Sequence, residues 1–394
     1  MKRETRILWA VLIASLLLAA MFAGCQNGTT PPADPEVVDS SPINYPSGAY
    51  KYLEFDKVND QVGGRLQLGS IDFNGDTNFM VSSNGEVGDD PDPIGNPLDW
   101  GFYQADEGGS LYFEGAKASF QGRFNGAADL ILTPRILGMA GSEGFGVGIK
   151  SEPQQFVGGP VPVDGGAAKP VRTMEGVWGL FGLAHGYGGG VEGANTIIGT
   201  ITIDQSHSFN TFSSMIWVGD GTMETGSGQF EINENGDVEF DVDGFGMDFV
   251  AFPNQSDSIF TAYSASTEQG MERRIMAVAV KIDDQHPLPD EGSFHIYRFV
   301  EDVDGDNVAL DEGLLSFGPD SSFQVDCGEF EEEGVMVVEE FEKSFMLHVY
   351  PEQGDDWEAY GYAGVLDASG DVLLLGTPNN PQDQVAFIIG FRVR

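Results

Sequence analysis

The residues best able to do chemistry in this chain are acidic. The tightest cluster is Asp302-Val303-Asp304-Gly305-Asp306-Asn307, followed by Asp311-Glu312. Alternate carboxylates in a glycine-containing turn can converge oxygens on Ca²⁺, a hard cation that takes about six to eight of them. The spacing departs from an EF-hand, because Gly305 is fourth rather than sixth and Gly313 stands at the twelfth position. A solvated acidic loop between two strands is the simpler reading. Asp302, Asp304, Asp306, Asp311 and Glu312 therefore stand as a weak Ca²⁺ candidate, and no other cofactor is expected. Gly88-Asp89-Asp90-Pro91-Asp92 is a poorer candidate of the same kind. Cys327 ends the strand-like run Phe323–Cys327, and a catalytic thiol there would need a histidine base nearby in space. His295 and His348 lie in the same third of the chain, but no spacing selects them. His185, His207 and His286 add no metal-ligand pattern. No nucleophile-elbow, zinc-protease, phosphate-loop or dinucleotide motif appears in a fitting context. A glycosidase needs only two placed carboxylates, and 62 acids single out no pair. The expectation is a protein that is not an enzyme.

The same acids set the partners. The 394 residues carry 19 Lys+Arg against 62 Asp+Glu, a net charge of −43. Nucleic acids bind through neutralisation of their phosphates by Lys and Arg, so they are excluded as partners. High acidity keeps a protein soluble where salt screens its self-repulsion, which fits a saline habitat.

The first 24 residues are an address. Met1-Lys2-Arg3-Glu4-Thr5-Arg6 is a basic start, and an apolar run from Ile7 to Ala23 follows, the order of a secretory signal. Phe22-Ala23-Gly24-Cys25 resembles the lipobox of bacterial lipoproteins, with Phe22 in place of the usual Leu. That resemblance implies cleavage before Cys25 and lipidation of Cys25. Gln26 rather than Asp after the cysteine implies, by the same analogy, the outer membrane over the inner one. An acidic chain is repelled by anionic headgroups, so the lipid itself must hold it to the membrane.

Beyond the signal at 1–24 and a Pro/Ser/Thr-rich tether at 25–47, the chain repeats itself three times. Gly48-Ala49-Tyr50, Gly176-Val177-Trp178 and Gly292-Ser293-Phe294 open the repeats. A second glycine follows in each at Gly69, Gly199 and Gly313. A third mark is Gly101-Phe102-Tyr103, Gly228-Gln229-Phe230 and Lys343-Ser344-Phe345. Each repeat closes on an apolar run ending in a base, at Lys150, Lys281 and Arg392. The repeats span 48–150, 174–283 and 291–394, with linkers at 151–173 and 284–290.

The second repeat is the most legible. Phe230 and Ile232 alternate with polar residues, Asn235-Gly236 marks a tight turn, and Val238, Phe240 and Val242 alternate with acids. This predicts a hairpin with one buried face and one wet, acidic face. About eight such strands fit each repeat, and no helical period is sustained after residue 24. The fold class is all-β: three tandem antiparallel repeats of about eight strands each. Small meander barrels, a six-bladed propeller with two blades per repeat, and open sandwiches all fit that count. The wet hairpin face and the long Gly/Pro-rich linker favour barrels. Ile275–Val280 and Val372–Leu375, apolar on both faces, fit blades or barrels packed against each other.

The opening Gly176-Val177-Trp178 and the closing Lys281 resemble the calycins, the lipocalin-like and avidin-like barrels. That resemblance implies a base stacked over the opening aromatic ring. Tyr50 and Phe294 replace Trp in the other repeats.

Three functions follow as expectations: a non-catalytic surface lipoprotein packing against envelope or extracellular partners; a binder of a small apolar ligand or glycan; and, third, an envelope hydrolase. Trp100, Trp178, Trp217 and Trp357 are candidates to line a ligand cavity, and Gly186–Gly190 is a candidate lid. A lumen of several hundred Å³ would separate the second reading from the first.

Overall fold

The structure, a computed structural model, describes residues 44–58, 65–74, 77–87, 96–134, 136–137, 142–150, 173–185, 194–205, 210–218, 223–233, 235–243, 248–268, 271–282, 291–302, 308–328, 331–338, 345–349, 361–377 and 384–394. Barrel 1 comprises β1 (Gly48–Val58), β2 (Arg65–Asn74), β3 (Asn78–Glu86), β4 (Asn96–Ala105), β5 (Ser110–Gly115), β6 (Ser119–Phe124), β7 (Leu130–Pro134) and β8 (Ser142–Lys150). Barrel 2 comprises β9 (Gly176–His185), β10 (Ala194–Gln205), β11 (Asn210–Val218), β12 (Met223–Ile232), β13 (Val238–Asp243), β14 (Phe249–Pro253), β15 (Ile259–Glu268) and β16 (Met271–Ile282). Barrel 3 comprises β17 (Gly292–Asp302), β18 (Val308–Phe317), β19 (Ser322–Asp326), β20 (Glu331–Val338), β21 (Phe345–Val349), β22 (Gly361–Leu366), β23 (Val372–Gly376) and β24 (Gln384–Arg392).

Each set of eight is a closed antiparallel meander. The first strand of each barrel pairs with its own last: β1 with β8, β9 with β16 and β17 with β24. This closure removes the exposed edges that an open sheet would leave. It also excludes the propeller, in which β1 would pair with β24.

Alternation decides what fills the barrels. In barrel 2, Trp178, Leu180, Phe230, Phe240, Phe260, Ala277 and Ala279 point into the lumen and form one cluster. In barrel 1 the inward side of β8 is glycine because the inward side of β1 is tyrosine. A Cβ on Gly146 would lie 1.7 Å from the Tyr52 hydroxyl. Gly176 opens barrel 2 at φ +136°, a backbone conformation that favours glycine, and a Cβ there would meet the Lys281 chain.

The strands that are apolar on both faces have a second task. Their outward side chains join across the three barrels in one further core, the seam. It includes Leu53, Phe55, Phe145, Val147, Phe181, Leu183, Val278, Val280, Phe299, Leu374, Phe387 and Ile389. Repeat equivalence is strict along the three first strands. Five residues after each opening glycine come Leu53, Phe181 and Tyr297; seven after come Phe55, Leu183 and Phe299. Nine after come Lys57, His185 and Glu301, all buried. Lys57 Nζ pairs with Glu301, and His185 Nε2 lies 2.9 Å from Glu301 Oε2. The Phe55 ring stacks on His185 at 4.9 Å. A buried ion pair adds little net stability because its desolvation cost is large. The pair joins barrel 1 to barrel 3, since Lys57 and Glu301 stand at the same step of their first strands.

Where the first strands begin, three equivalent turns meet. Asn125, Asn254 and Asp367 each accept with Oδ1 from the backbone N–H groups four and five residues on. Asn254 Nδ2 donates to Asp129 of barrel 1 at 2.7 Å, and Gly126 N donates to Asp371 of barrel 3 at 3.1 Å. These contacts tie the barrels at the end of the seam opposite the Lys57–Glu301–His185 cluster.

Candidate binding surface

The acidic candidate site is divided. Asp311 accepts from Arg298 Nη1 at 2.8 Å, inside barrel 3. Glu312 accepts from Arg123 of barrel 1 at 2.9 and 3.0 Å. Both are engaged by guanidinium groups rather than turned toward a shared point. The side chain of Asp302, and the whole of Asp304 and Asp306, lie outside the described residues. Among the described residues, no group of three or more His, Cys, Asp or Glu has metal-holding geometry. Cys327 is free and partly buried. Burial and the nearby Asp311 push its thiol up to about 11, which disfavours the thiolate that a nucleophile needs. His185 belongs to the seam. Burial, and then Arg123, lower the pKa of His295, which is half-buried. Cys25, Asp89–Asp92, Gly186–Gly190, His207, His286 and Trp357, with the side chains of Trp217 and His348, lie outside the described residues.

The lumen of barrel 2 leaves little room. The cavity in barrel 2, between Leu180, Ile201, Phe212, Phe240 and Phe260, is about 20 Å³. That holds roughly one water, whereas a ligand pocket needs several hundred Å³. Barrel 1 is filled by a ladder of rings, with Phe73 against Tyr103 at 4.7 Å, Phe79 against Phe113 at 5.0 Å and Phe113 stacked on Phe120 at 4.3 Å. Below them, Glu54 accepts from the Tyr52 hydroxyl at 3.0 Å and from the N–H groups of Ile136 and Leu137 at 2.6 and 2.8 Å. Burial pushes its carboxyl up to about 7 against the pull of those donors. In barrel 3, Arg298, Asp311, Glu332 and Tyr362 form the corresponding polar group, with Tyr362 donating to Glu332 at 2.9 Å.

The base-on-ring plug is present in two barrels. Lys281 Nζ lies 5.6 Å from the Trp178 ring centre, and the Arg392 guanidinium 5.2 Å from that of Phe294. In barrel 1, Lys150 Nζ is 3.3 Å from the Ser47 hydroxyl. An open hollow of about 310 Å³ lies beside Lys281, lined also by Thr173, Ser256, Asp257, Ser258 and Ala368.

Trp178 is a core residue, completely buried. Trp100 is the opposite case and corrects its placement as a lumen candidate. It faces out from barrel 1, 57% exposed. Its register partner Met80 is 40% exposed, Phe102 is 61% exposed and Tyr112 is 42% exposed. Outward positions recur every second residue along a strand. Trp100 and Phe102 are thus neighbours on β4, and Tyr112 on β5 is one diagonal step from Phe102, since it pairs with Gln104. Four large apolar side chains make one continuous outer face.

The same place in barrel 2 is built differently. Phe102 pairs with Glu114 and Gln104 with Tyr112 in barrel 1; Gln229 pairs with Asp241 and Glu231 with Glu239 in barrel 2. The inward pairs match as well, Tyr103 with Phe113 and Phe230 with Phe240. The architecture therefore accepts exposed Ser227, Gln229, Glu231 and Glu239 where barrel 1 displays Trp100, Phe102, Gln104 and Tyr112.

No family model matches the sequence, and no curated protein matches it. Among solved structures, it is similar to a protein of unknown function of the DUF3598 family from Nostoc punctiforme. That match has 12% identity over 56% of this chain and 96% of that one, with a TM-score of 0.22. It is also similar to a transferrin binding protein B variant from Haemophilus parasuis Hp5, at 7% identity over 89% and 77% of the two chains, TM-score 0.30. A third is the isotype 1 transferrin binding protein B from serogroup B Neisseria meningitidis, at 8% identity over 89% and 77%, TM-score 0.27.

Proposed function

We propose that this chain is a lipid-anchored, non-catalytic protein of the bacterial cell envelope, outer membrane rather than inner, that binds envelope or extracellular partners through its outer surface. The observation that carries the reading is the exposed Met80–Trp100–Phe102–Tyr112 face, where an equivalent barrel of the same chain is polar. Contiguous exposed apolar area on a soluble fold marks an interaction site. The cavity of about 20 Å³ in barrel 2 weighs against a ligand held in that lumen. Cys25 supplies the anchor, and the Pro/Ser/Thr-rich segment that follows it the tether.

The anchor is tested by producing the full-length precursor and its Cys25→Ser variant in a two-membrane bacterium. The wild type is expected in the outer-membrane fraction with the mass of an acylated chain starting at Cys25. The variant should lose that mass and be released or misprocessed, leaving the outer-membrane fraction. A variant that keeps the wild-type mass and membrane association would overturn the anchored reading.

A further inference from the structure

The aromatic face of barrel 1 is rimmed by acid. Asp72 on β2 is the register partner of Met80, and Glu114 on β5 is that of Phe102. Exposed Asp106 and Glu107 stand in the β4–β5 turn, against Lys117 in the turn that follows β5. The chain as a whole carries a net charge of −43. Several of its bases are already engaged by acids: Lys51 by Asp237, Arg65 by Asp56, Arg123 by Glu312 and Arg274 by Glu86. A field of one sign steers oppositely charged partners in and turns like-charged ones away.

That field selects among occupants. A second copy would bring another −43 and the same acidic rim to the contact, so self-association through this face is disfavoured. Anionic lipid and nucleic acid are disfavoured for the same reason. A cationic side chain is favoured twice, by the field at long range and by the ring faces at contact. Guanidinium and ammonium groups are attracted to the face of Trp above all, then Tyr and Phe. Guanidinium in addition stacks flat on a ring. The chain uses this chemistry internally, with Lys51 5.1 Å from the Phe252 ring centre and Lys281 and Arg392 over Trp178 and Phe294.

We propose that the Trp100–Phe102–Tyr112 face docks a basic segment of a partner protein, its arginine or lysine side chains stacked on the rings and paired with Glu114 and Asp72. This rests on the reading of the protein as a surface binder and names the class of its partner. The rings supply short-range specificity and the acids supply encounter rate, so binding weakens with salt but does not vanish.

The test uses the full mature chain, fluorescein-labelled hexa-arginine and, as neutral probes, hexa-glycine and maltohexaose, in 0.3 M NaCl. At that ionic strength screening shortens long-range attraction to roughly 6 Å. The Trp100→Ser/Phe102→Gln variant installs the residues of barrel 2 and leaves the net charge unchanged, so any difference reads the face alone. Hexa-arginine is expected to bind the wild type about 10-fold more tightly than the variant, with no binding of hexa-glycine. Equal hexa-arginine affinity for both chains would overturn the proposal, because the attraction would then be general charge. Maltohexaose binding that the variant loses, without a hexa-arginine difference, would overturn the basic partner and keep the surface reading. Indifference of every probe to the two substitutions would count against both.

Discussion

The β4–β5 hairpin of barrel 1 and the β12–β13 hairpin of barrel 2 share register and inward residues, yet differ outside. Inward, Tyr103–Phe113 and Phe230–Phe240 are buried pairs of rings. Outward, one hairpin is polar and acidic, and the other presents Trp100, Phe102 and Tyr112 to solvent. Folding constrains the inward pairs in both barrels because each lumen must be filled. It leaves both outer faces freer to vary, and we assign the exposed rings of barrel 1 to recognition.

The largest effects should come from the shared side. Phe113→Ala and Phe240→Ala each remove a buried ring from an equivalent lumen position, and each should cost about 3–5 kcal/mol. Urea denaturation of the two variants measures this. If only one of them is destabilised, the two lumens are not equivalent and the comparison breaks.

An intermediate effect separates the lumens by pH. Six residues after the opening glycine stand Glu54 in barrel 1, Gly182 in barrel 2 and Arg298 in barrel 3. The Glu54 carboxyl has an ordinary value of 4.5 and is pushed up to about 7 by burial. Between those values the folded chain keeps a proton that the unfolded chain has lost. Its contribution therefore lowers stability as pH rises from 4.5 to about 7, by about 3 kcal/mol in all, and is constant above. Glu54→Gln should flatten that part of the stability curve and be more stable than the wild type at pH 8. Identical slopes for the two chains would show that the buried carboxyl is ionised at no cost.

Much of this was legible in the sequence. The alternation through Gly228–Asp243 gave the hairpin and its wet face, and the Gly-x-aromatic openings gave the three first strands. The runs Ile275–Val280 and Val372–Leu375 showed that some strands are covered on both sides, and the seam is what covers them. The outward position of Trp100 was also readable. Aligning Gly101 with Gly228 puts Tyr103 on Phe230, inward, and hence Trp100 and Phe102 outward. The cluster of Lys57, His185 and Glu301 was not readable. Its members share only their distance from the opening glycine, and three different residue types at that step carry no repeat signal. Their pairing is a property of barrels brought together, as are the contacts of Glu312 with Arg123 and of Asn254 with Asp129.

The smallest expected effect tests the central claim most directly. Trp100→Ser/Phe102→Gln/Tyr112→Glu replaces the three exposed rings of barrel 1 by the residues that barrel 2 carries at those positions. Exposed substitutions away from structural contacts change stability by about 0.5 kcal/mol or less, which for a chain of this size shifts Tm by less than about 2 °C. Calorimetry of the full mature chain should therefore give the wild-type Tm within that margin. A fall of about 5 °C or more would mean that the rings hold barrel 1 together, and the face would be structural rather than a docking surface.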